Sequence, residues 1–219
     1  MKFITTLFFI VFLSSMTYAG GDKYFFVFLN TNPQAEKLDS AVSMDLQAKH
    51  LANITRLYKL GFIKAAGPFE RGGGIFIYKA SSLKEVKDSL YTDPAIAANR
   101  YILETYPMTI LKGKLCDVGD EYDMTTYPTV RLLARDKAPK PIPEKLSEEN
   151  MKPWFDVIEK QAGILFAARF DDENGGGFVV TNPKRKNQTE LQVVLKENNI
   201  FTSKIRNLWI AMGTFCETK

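Results

Sequence analysis

A string built on three consecutive glycines occurs in each half of this chain. The first copy is ERGGGIFIYKA, residues 70–80, and the second is ENGGGFVVTNP, residues 173–183. In both copies the glycines precede an apolar run of the β type, and glycine adopts the positive φ angles of tight turns at little cost. The string therefore predicts a similar hairpin in two places, and it constrains the fold more than any other feature.

The similarity extends on both sides of the glycines, which indicates an internal repeat. Gly61 corresponds to Gly163, and both copies end at a cysteine, Cys116 or Cys216. Each copy has the predicted order strand, helix, strand, strand, helix, strand, which is the ferredoxin-like plan with helices on one face of the sheet. Because the bare faces of two such sheets can cover each other, we predict an α+β fold. Its two tandem ferredoxin-like repeats, residues 20–116 and 127–219, would close as an intramolecular dimeric α+β barrel.

The elements of the first repeat follow from hydrophobic spacing. Apolar residues recur at helical spacing from Val42 to Leu60, and Gly61 follows as a helix cap. A second helix begins near Ser82, with Glu85 three residues later as in a capping box. The predicted strands of this repeat are 24–29, 63–69, 75–78 and one that includes 109–111.

The first residues have the pattern of a secretory signal peptide. Lys2 precedes an apolar run from Phe3 to about Leu13, and small residues lead to Ala19. A membrane anchor is the alternative, but a spanning helix needs about 20 apolar residues. We expect residues 1–19 to be removed near Ala19, and the mature protein to be exported to the periplasm or secreted, without a membrane association.

The charge of the chain argues against nucleic-acid binding. Lysine and arginine number 29 against 25 acidic residues, a formal charge of +4, and the cations are scattered. A nucleic-acid footprint would need them clustered on one face. A hydrophobic fraction of 45% is enough for a folded core.

The two cysteines leave two interpretations open. In an exported protein Cys116 and Cys216 can form a disulfide, or they can be two separate buried thiols. With His50 as the single histidine, the chain cannot supply the four Cys or His ligands of a structural zinc site. We therefore predict no metal and no cofactor.

The segment AKHLANITRLYKLGFIKAAGPF, residues 48–69, resembles the YCII-related family of small α+β barrel domains. The matching residues are His50, Leu57, Gly61 and the string 66–68. Farther along, residues 91–94 (YTDP) and 106–108 (YPM) match two more elements, so that the resemblance covers Lys23 to Leu115. Members of that family are usually dimers, which implies that this chain is a monomer in the form of a fused pseudo-dimer.

The resemblance implies a catalytic dyad of His50 and Asp93, in which the carboxylate orients the imidazole as a general acid or base. It implies a cofactor-free lyase or isomerase acting on a small carbonyl or lactone compound. The second copy has Lys152 where the first has the histidine, so that it would be degenerate. The alternatives are a histidine at the edge of the core, an Asp-Pro turn, and a non-catalytic module that binds a small ligand or another protein.

Overall fold

The computed structural model describes residues 23–119, 121–134, 163–172, 175–184 and 201–216. These residues form an α+β protein, made mostly of strands, with one eight-stranded antiparallel sheet and few helices. The predicted signal peptide and the predicted helices of the second repeat, with Lys152, lie outside the described residues. None of the described helices is long and apolar enough to cross a membrane.

The strands alternate with helices in the first half of the chain. The described helices are α1 (Ser40–Lys59), α2 (Leu83–Leu90) and α3 (Pro94–Ala97). The strands are β1 (Lys23–Thr31), β2 (Ile63–Pro68), β3 (Gly74–Ala80), β4 (Tyr101–Lys112), β5 (Lys114–Leu115), β6 (Met124–Ala134), β7 (Ile164–Phe170), β8 (Gly177–Thr181), β9 (Phe201–Ala211) and β10 (Phe215–Cys216).

Local capping explains where the two longer helices begin and end. The side chain of Asp39 accepts a hydrogen bond from the backbone N–H of Val42 and starts α1. The Ser82 hydroxyl accepts from the N–H of Glu85, whose carboxylate accepts in turn from Ser81, and this exchange starts α2. Gly61, with φ of +81°, follows the end of α1 as predicted.

The strand order is β2-β3-β1-β4-β7-β8-β6-β9, and the two halves meet where β4 pairs with β7. The two ends of the sheet also approach each other, because Phe69 after β2 forms an isolated bridge with Leu208 on β9. The backbone N–H of Glu70 donates to the carbonyl of Asn207 over 3.1 Å beside this bridge.

The two glycine strings make equivalent turns. Gly73 and Gly176 have φ of +68° and +100°, which L side chains rarely adopt. A Cβ at Gly73 would lie 2.4 Å from the carbonyl oxygen of Leu29, and one at Gly176 would lie 2.5 Å from that of Leu132. Each string therefore turns a hairpin tightly over the first strand of its own half, as the sequence predicted.

The first half of the sheet has an aromatic inner face and a helix-covered outer face. Alternation along β1 sends Phe26 and Phe28 to the inner face, where they pack with Phe166, Phe170 and Phe178 from the second half. The intervening residues of β1 pack with residues of the helices on the outer face. The inner face is thus a core that both halves share.

A disulfide between Cys116 and Cys216 closes one end of this inner core. It joins the ends of the short strands β5 and β10, which pair with each other. Phe215, the first residue of β10, belongs to the inner core. The centroid of its ring is 5.6 Å from that of Tyr127 and 5.1 Å from that of Phe166. Of the two interpretations that the sequence left open, the structure contains the bridge.

Candidate functional site

The two residues of the predicted dyad are in contact. His50 lies on α1 and Asp93 lies just before α3, and both side chains are buried, with Asp93 only 1% exposed. The Nδ1 atom of His50 is 2.8 Å from both carboxylate oxygens of Asp93. The pair therefore ties α1 to the start of α3.

Asp93 accepts more hydrogen bonds than the one from the imidazole. It caps α3 by accepting from the backbone N–H groups of Ala95 and Ile96, and it accepts from Nδ2 of Asn53. Burial alone would raise the pKa of Asp93, but these hydrogen bonds and the nearby His50 outweigh it and hold the pKa below its usual value. The carboxylate is therefore ionised at neutral pH.

The other side of the imidazole meets aromatic rings. The His50 ring lies 6.1 Å from that of Phe76 and 5.8 Å from that of Tyr101, between centroids. In the described part of the chain, Nε2 has no hydrogen-bond partner. The geometry therefore fixes Nδ1 against the carboxylate and leaves Nε2 as the atom that could exchange a proton.

The dyad lies on the helix-covered face, away from the shared core. Phe76, which contacts His50, belongs to the outer cluster, whereas its neighbours Ile75 and Ile77 belong to the inner one. Tyr106, from the YPM string that the resemblance also matched, packs on the inner face. The structure brings His50 and Asp93 together, but the sheet separates them from Tyr106.

A cleft opens on the inner face, at the end opposite the disulfide. Its space for a water-sized group is about 20 Å³, room for about one water molecule, within a wider opening to solvent. We call it the cationic cleft, and it is lined by Phe28, Asn30, Phe69, Thr129, Arg131, Phe178, Lys204 and Arg206. Both halves contribute to the lining. Phe28, Asn30 and Phe69 come from the first half, and the other five residues lie on β6, β8 and β9 of the second half.

An ion pair between the halves supports one wall of the cationic cleft. The two terminal guanidinium nitrogens of Arg131 donate to the carboxylate of Glu104 on β4. Asn30 and the hydroxyl of Tyr106 also donate to this carboxylate, each over 2.7 Å. The hydrogen bonds from Arg131 are the main reason that the pKa of Glu104 falls to about 2, against an opposing effect of burial.

Aromatic rings hold the two arginines of the cleft. The guanidinium carbon of Arg131 lies 3.8 Å from the centroid of the Phe28 ring, and that of Arg206 lies 4.0 Å from the centroid of Phe69. Arg206 also donates to the carbonyl of Gly72 in the first glycine string. These contacts fix both cations on the inner face.

Sequence reasoning missed the cationic cleft. One signal was present, since Arg131 sits between Val130 and Leu132 and is the one charged residue of β6. A charge in such a run indicates either an exposed edge or a buried partner. The partner, Glu104, lies on another strand of the other half, so local patterns could not identify it.

The described residues contain no group of three His, Cys, Asp or Glu side chains that could hold a metal ion. The candidate chemistry of these residues is therefore that of an oriented imidazole on the outer face and of a cationic, aromatic cleft on the inner face.

No family model and no curated protein matches the sequence. Among solved structures, one described as "putative monooxygenase" from Fusobacterium nucleatum has a TM-score of 0.53 and 10% identity, covering 91% of this chain and 98% of that one. A second so described, from Lactobacillus acidophilus, has a TM-score of 0.47 and 8% identity over 86% of this chain and 93% of that one. A third structure, described as an anthrone oxidase-like protein, has a TM-score of 0.47 and 8% identity, and the match covers 91% of this chain and 97% of that one.

The absence of a matching family model and the fold shared with the Fusobacterium protein overturn the resemblance to the YCII-related family, and with it the lyase or isomerase reaction and the non-catalytic alternative assigned on that basis. The matching residues have local structural roles instead. Gly61 ends a helix, Asp93 caps one, and Gly67 lies where a Cβ would be 2.5 Å from the carbonyl oxygen of Trp209. Capping and close packing in this chain account for these residues, so that their spacing does not by itself identify a family. The similarity to the Fusobacterium protein shows a shared α+β fold.

Proposed function

We propose that this chain is an enzyme of the monooxygenase type whose small organic substrate binds in the cationic cleft. The cleft is the observation that carries the proposal. Its arginines are held in place by rings and by Glu104, and its walls include Phe69 and Phe178. Three phenylalanines thus share the lining with five polar or charged residues, and aromatic walls with positioned polar groups are features of small-molecule sites. The class of reaction is suggested by the name of the Fusobacterium protein of similar fold.

In such a reaction one atom of O₂ enters the substrate and the other leaves as water. The second atom requires two electrons and two protons. These come either from the substrate, when a CH₂ group becomes C=O, or from an added reductant. The contribution of this chain would be to orient the substrate and to exclude part of the solvent at the end of the inner core.

We propose further that the two halves are copies of one ferredoxin-like unit, residues 20–116 and 127–219, which close as a barrel within a single chain. The equivalent turns at Gly73 and Gly176 and the bridge between Phe69 and Leu208 support this. The chain would then be a monomer, since each half covers the inner face that a second subunit would otherwise cover.

A second proposal concerns His50 and Asp93. Their contact is the geometry of an imidazole oriented by a carboxylate, and it supports a role for Nε2 as a general base. Because the pair lies on the outer face, we propose that it serves a reaction separate from binding in the cationic cleft. Loss of ¹⁸O incorporation in a folded His50→Gln variant would contradict this separation of the pair from the cationic cleft.

We also propose that residues 1–19 are a signal peptide and that the mature chain is exported. The bridge between Cys116 and Cys216 supports this, because disulfides persist in oxidising compartments. Intact-mass analysis of the protein from cell fractions tests it. A mature chain that still carries Met1 and stays in the cytosol would contradict it.

The oxidation is tested with ¹⁸O₂. The full chain is incubated with a panel of phenols and 1,3-dicarbonyl compounds, with and without a nicotinamide reductant, and products are examined by mass spectrometry. We expect one heavy oxygen atom per product molecule, and a lower rate for Arg131→Gln. Lys49→Gln is the matched control, because Lys49 is exposed on α1 and, among the described residues, forms an ion pair with Asp45 alone. Absence of labelled product from compounds that demonstrably bind would overturn the proposal.

A further inference from the structure

The cationic cleft has more positive than negative charge. Glu104 is ionised at neutral pH and accepts hydrogen bonds from the two terminal guanidinium nitrogens of Arg131, so that these two charges offset each other. In the part of the chain that the structure describes, Lys204 and Arg206 form no ion pair with a carboxylate. Both line the same cleft. Two positive charges there are therefore not offset.

Arg206 is positioned before any ligand binds. Its guanidinium stacks on Phe69 and donates to the carbonyl of Gly72, so little side-chain freedom remains to be lost on binding. Burial, and then repulsion from Arg131, lower the pKa of Arg206. An anion bound beside it would relieve that repulsion.

The size of the cleft limits what can enter. A space of about 20 Å³ admits one small polar group, and the rest of a ligand must lie in the opening above it. Oxygens of a carboxylate or a phosphate suit the planar donors of arginine, with which they form short, strong hydrogen bonds. An oxyanion that places one oxygen in this space and the rest in the opening matches both the size and the charge of the cleft.

We propose that Arg206 and Lys204 bind an oxyanion head group of the substrate, a carboxylate or a phosphate, and so select acidic substrates. That the bound molecule is a substrate depends on the proposed function. The preference of the cleft for anions does not depend on any oxidation. Arg131, already paired with Glu104, forms the wall against which the head group lies.

Calorimetric titration of the full chain tests this without any turnover. The probes are acetate, benzoate, phenyl phosphate and inorganic phosphate, with benzamide as the neutral counterpart of benzoate. We expect benzoate or phenyl phosphate to bind at least about tenfold more tightly than benzamide, since hydrogen bonds to charged groups exceed neutral ones by this order. Comparison of the phosphate and carboxylate probes distinguishes the two head groups.

Variants assign the preference to residues. Lys204→Gln and Arg206→Gln should each reduce the ratio of benzoate to benzamide affinity several-fold, and Arg206→Lys should keep most of it. Lys204 is exposed, so that its substitution leaves the fold intact even if Arg206→Gln does not. Lys49→Gln, on the outer side of the molecule, should leave the ratio unchanged.

Three results would overturn the proposal: no binding of any acidic probe, equal binding of benzoate and benzamide, or an unchanged ratio in Lys204→Gln and Arg206→Gln. A preference for acids without ¹⁸O in any product would leave the inference standing and would reject the oxidation. If only neutral compounds gave labelled products, the oxidation would stand and the selection of acidic substrates would be rejected.

Discussion

At the scale of single residues, Asp93 has the most hydrogen-bonding roles in the candidate site. It is almost wholly buried, and its two oxygens accept hydrogen bonds from an imidazole, an amide and two backbone N–H groups. One carboxylate thereby caps α3, holds it against α1 and orients His50. These contacts stabilise the fold whether or not the imidazole moves a proton.

We expect Asp93→Asn to lower the free energy of unfolding by about 2–4 kcal/mol, because an amide cannot accept from all four donors and a buried group is left unpaired. Urea denaturation followed by circular dichroism measures the change. Asp45→Asn is the control, since Asp45 is exposed and forms an ion pair with Lys49 on the same helix, and its effect should stay below about 0.5 kcal/mol. Equal effects of the two substitutions would contradict this role of Asp93.

Glu104 makes the stability of the protein depend on pH. Its pKa is lowered in the folded protein from 4.5 to about 2, so the folded state holds fewer protons on this group than the unfolded state between those values. The contribution of Glu104 to stability is therefore complete above pH 4.5 and declines as pH falls towards 2. Unfolding free energies across this range should fall more steeply for the wild type than for Glu104→Gln. Parallel pH profiles would show that the Arg131 contact has no effect on Glu104.

At the scale of elements, the two glycine hairpins set how closely each half folds over its first strand. Their glycines combine a positive φ with a backbone carbonyl where a Cβ would stand. The requirement is thus both conformational and steric, and it occurs once in each half.

Gly73→Ala and Gly176→Ala should each cost more than about 2 kcal/mol, because about 1–2 kcal/mol of left-handed strain adds to a backbone clash. Gly119→Ala is the matched control. Gly119 also has a positive φ, of +73°, but a Cβ there would meet nothing within 4 Å. Thermal denaturation of the three variants separates strain from clash, and a loss in Gly119→Ala as large as in the others would refute the steric part.

The positions of helices and hairpins in the first half were also predictable from the sequence. Apolar spacing and caps located α1, α2 and the hairpins, because those signals are local. The contact of Glu104 with Arg131 could not be located, since it depends on how the two halves meet. The same locality explains why the family assignment was wrong. Gly61 and Asp93 were matched as family residues, but they lie at the ends of helices, where local capping accounts for them.

At the scale of the whole molecule, the disulfide encloses a segment with a sequence separation of 100 residues. On the chain-entropy model, a loop of that length is worth about 4–5 kcal/mol through the unfolded state. We expect the Cys116→Ser, Cys216→Ser double variant to be less stable by an amount of this order. Its denaturation should not respond to a thiol reductant, whereas that of the wild type should. A wild type insensitive to reduction would contradict the contribution of the bridge.

The bridge has a topological consequence. Cys116 ends the first half and Cys216 lies near the end of the chain, so the second half is a covalently closed ring attached to the first. A protease nick in the segment between Asp117 and Asp123 would open that ring without releasing either fragment. The nicked protein should migrate as one species on a non-reducing gel and as two after thiol treatment.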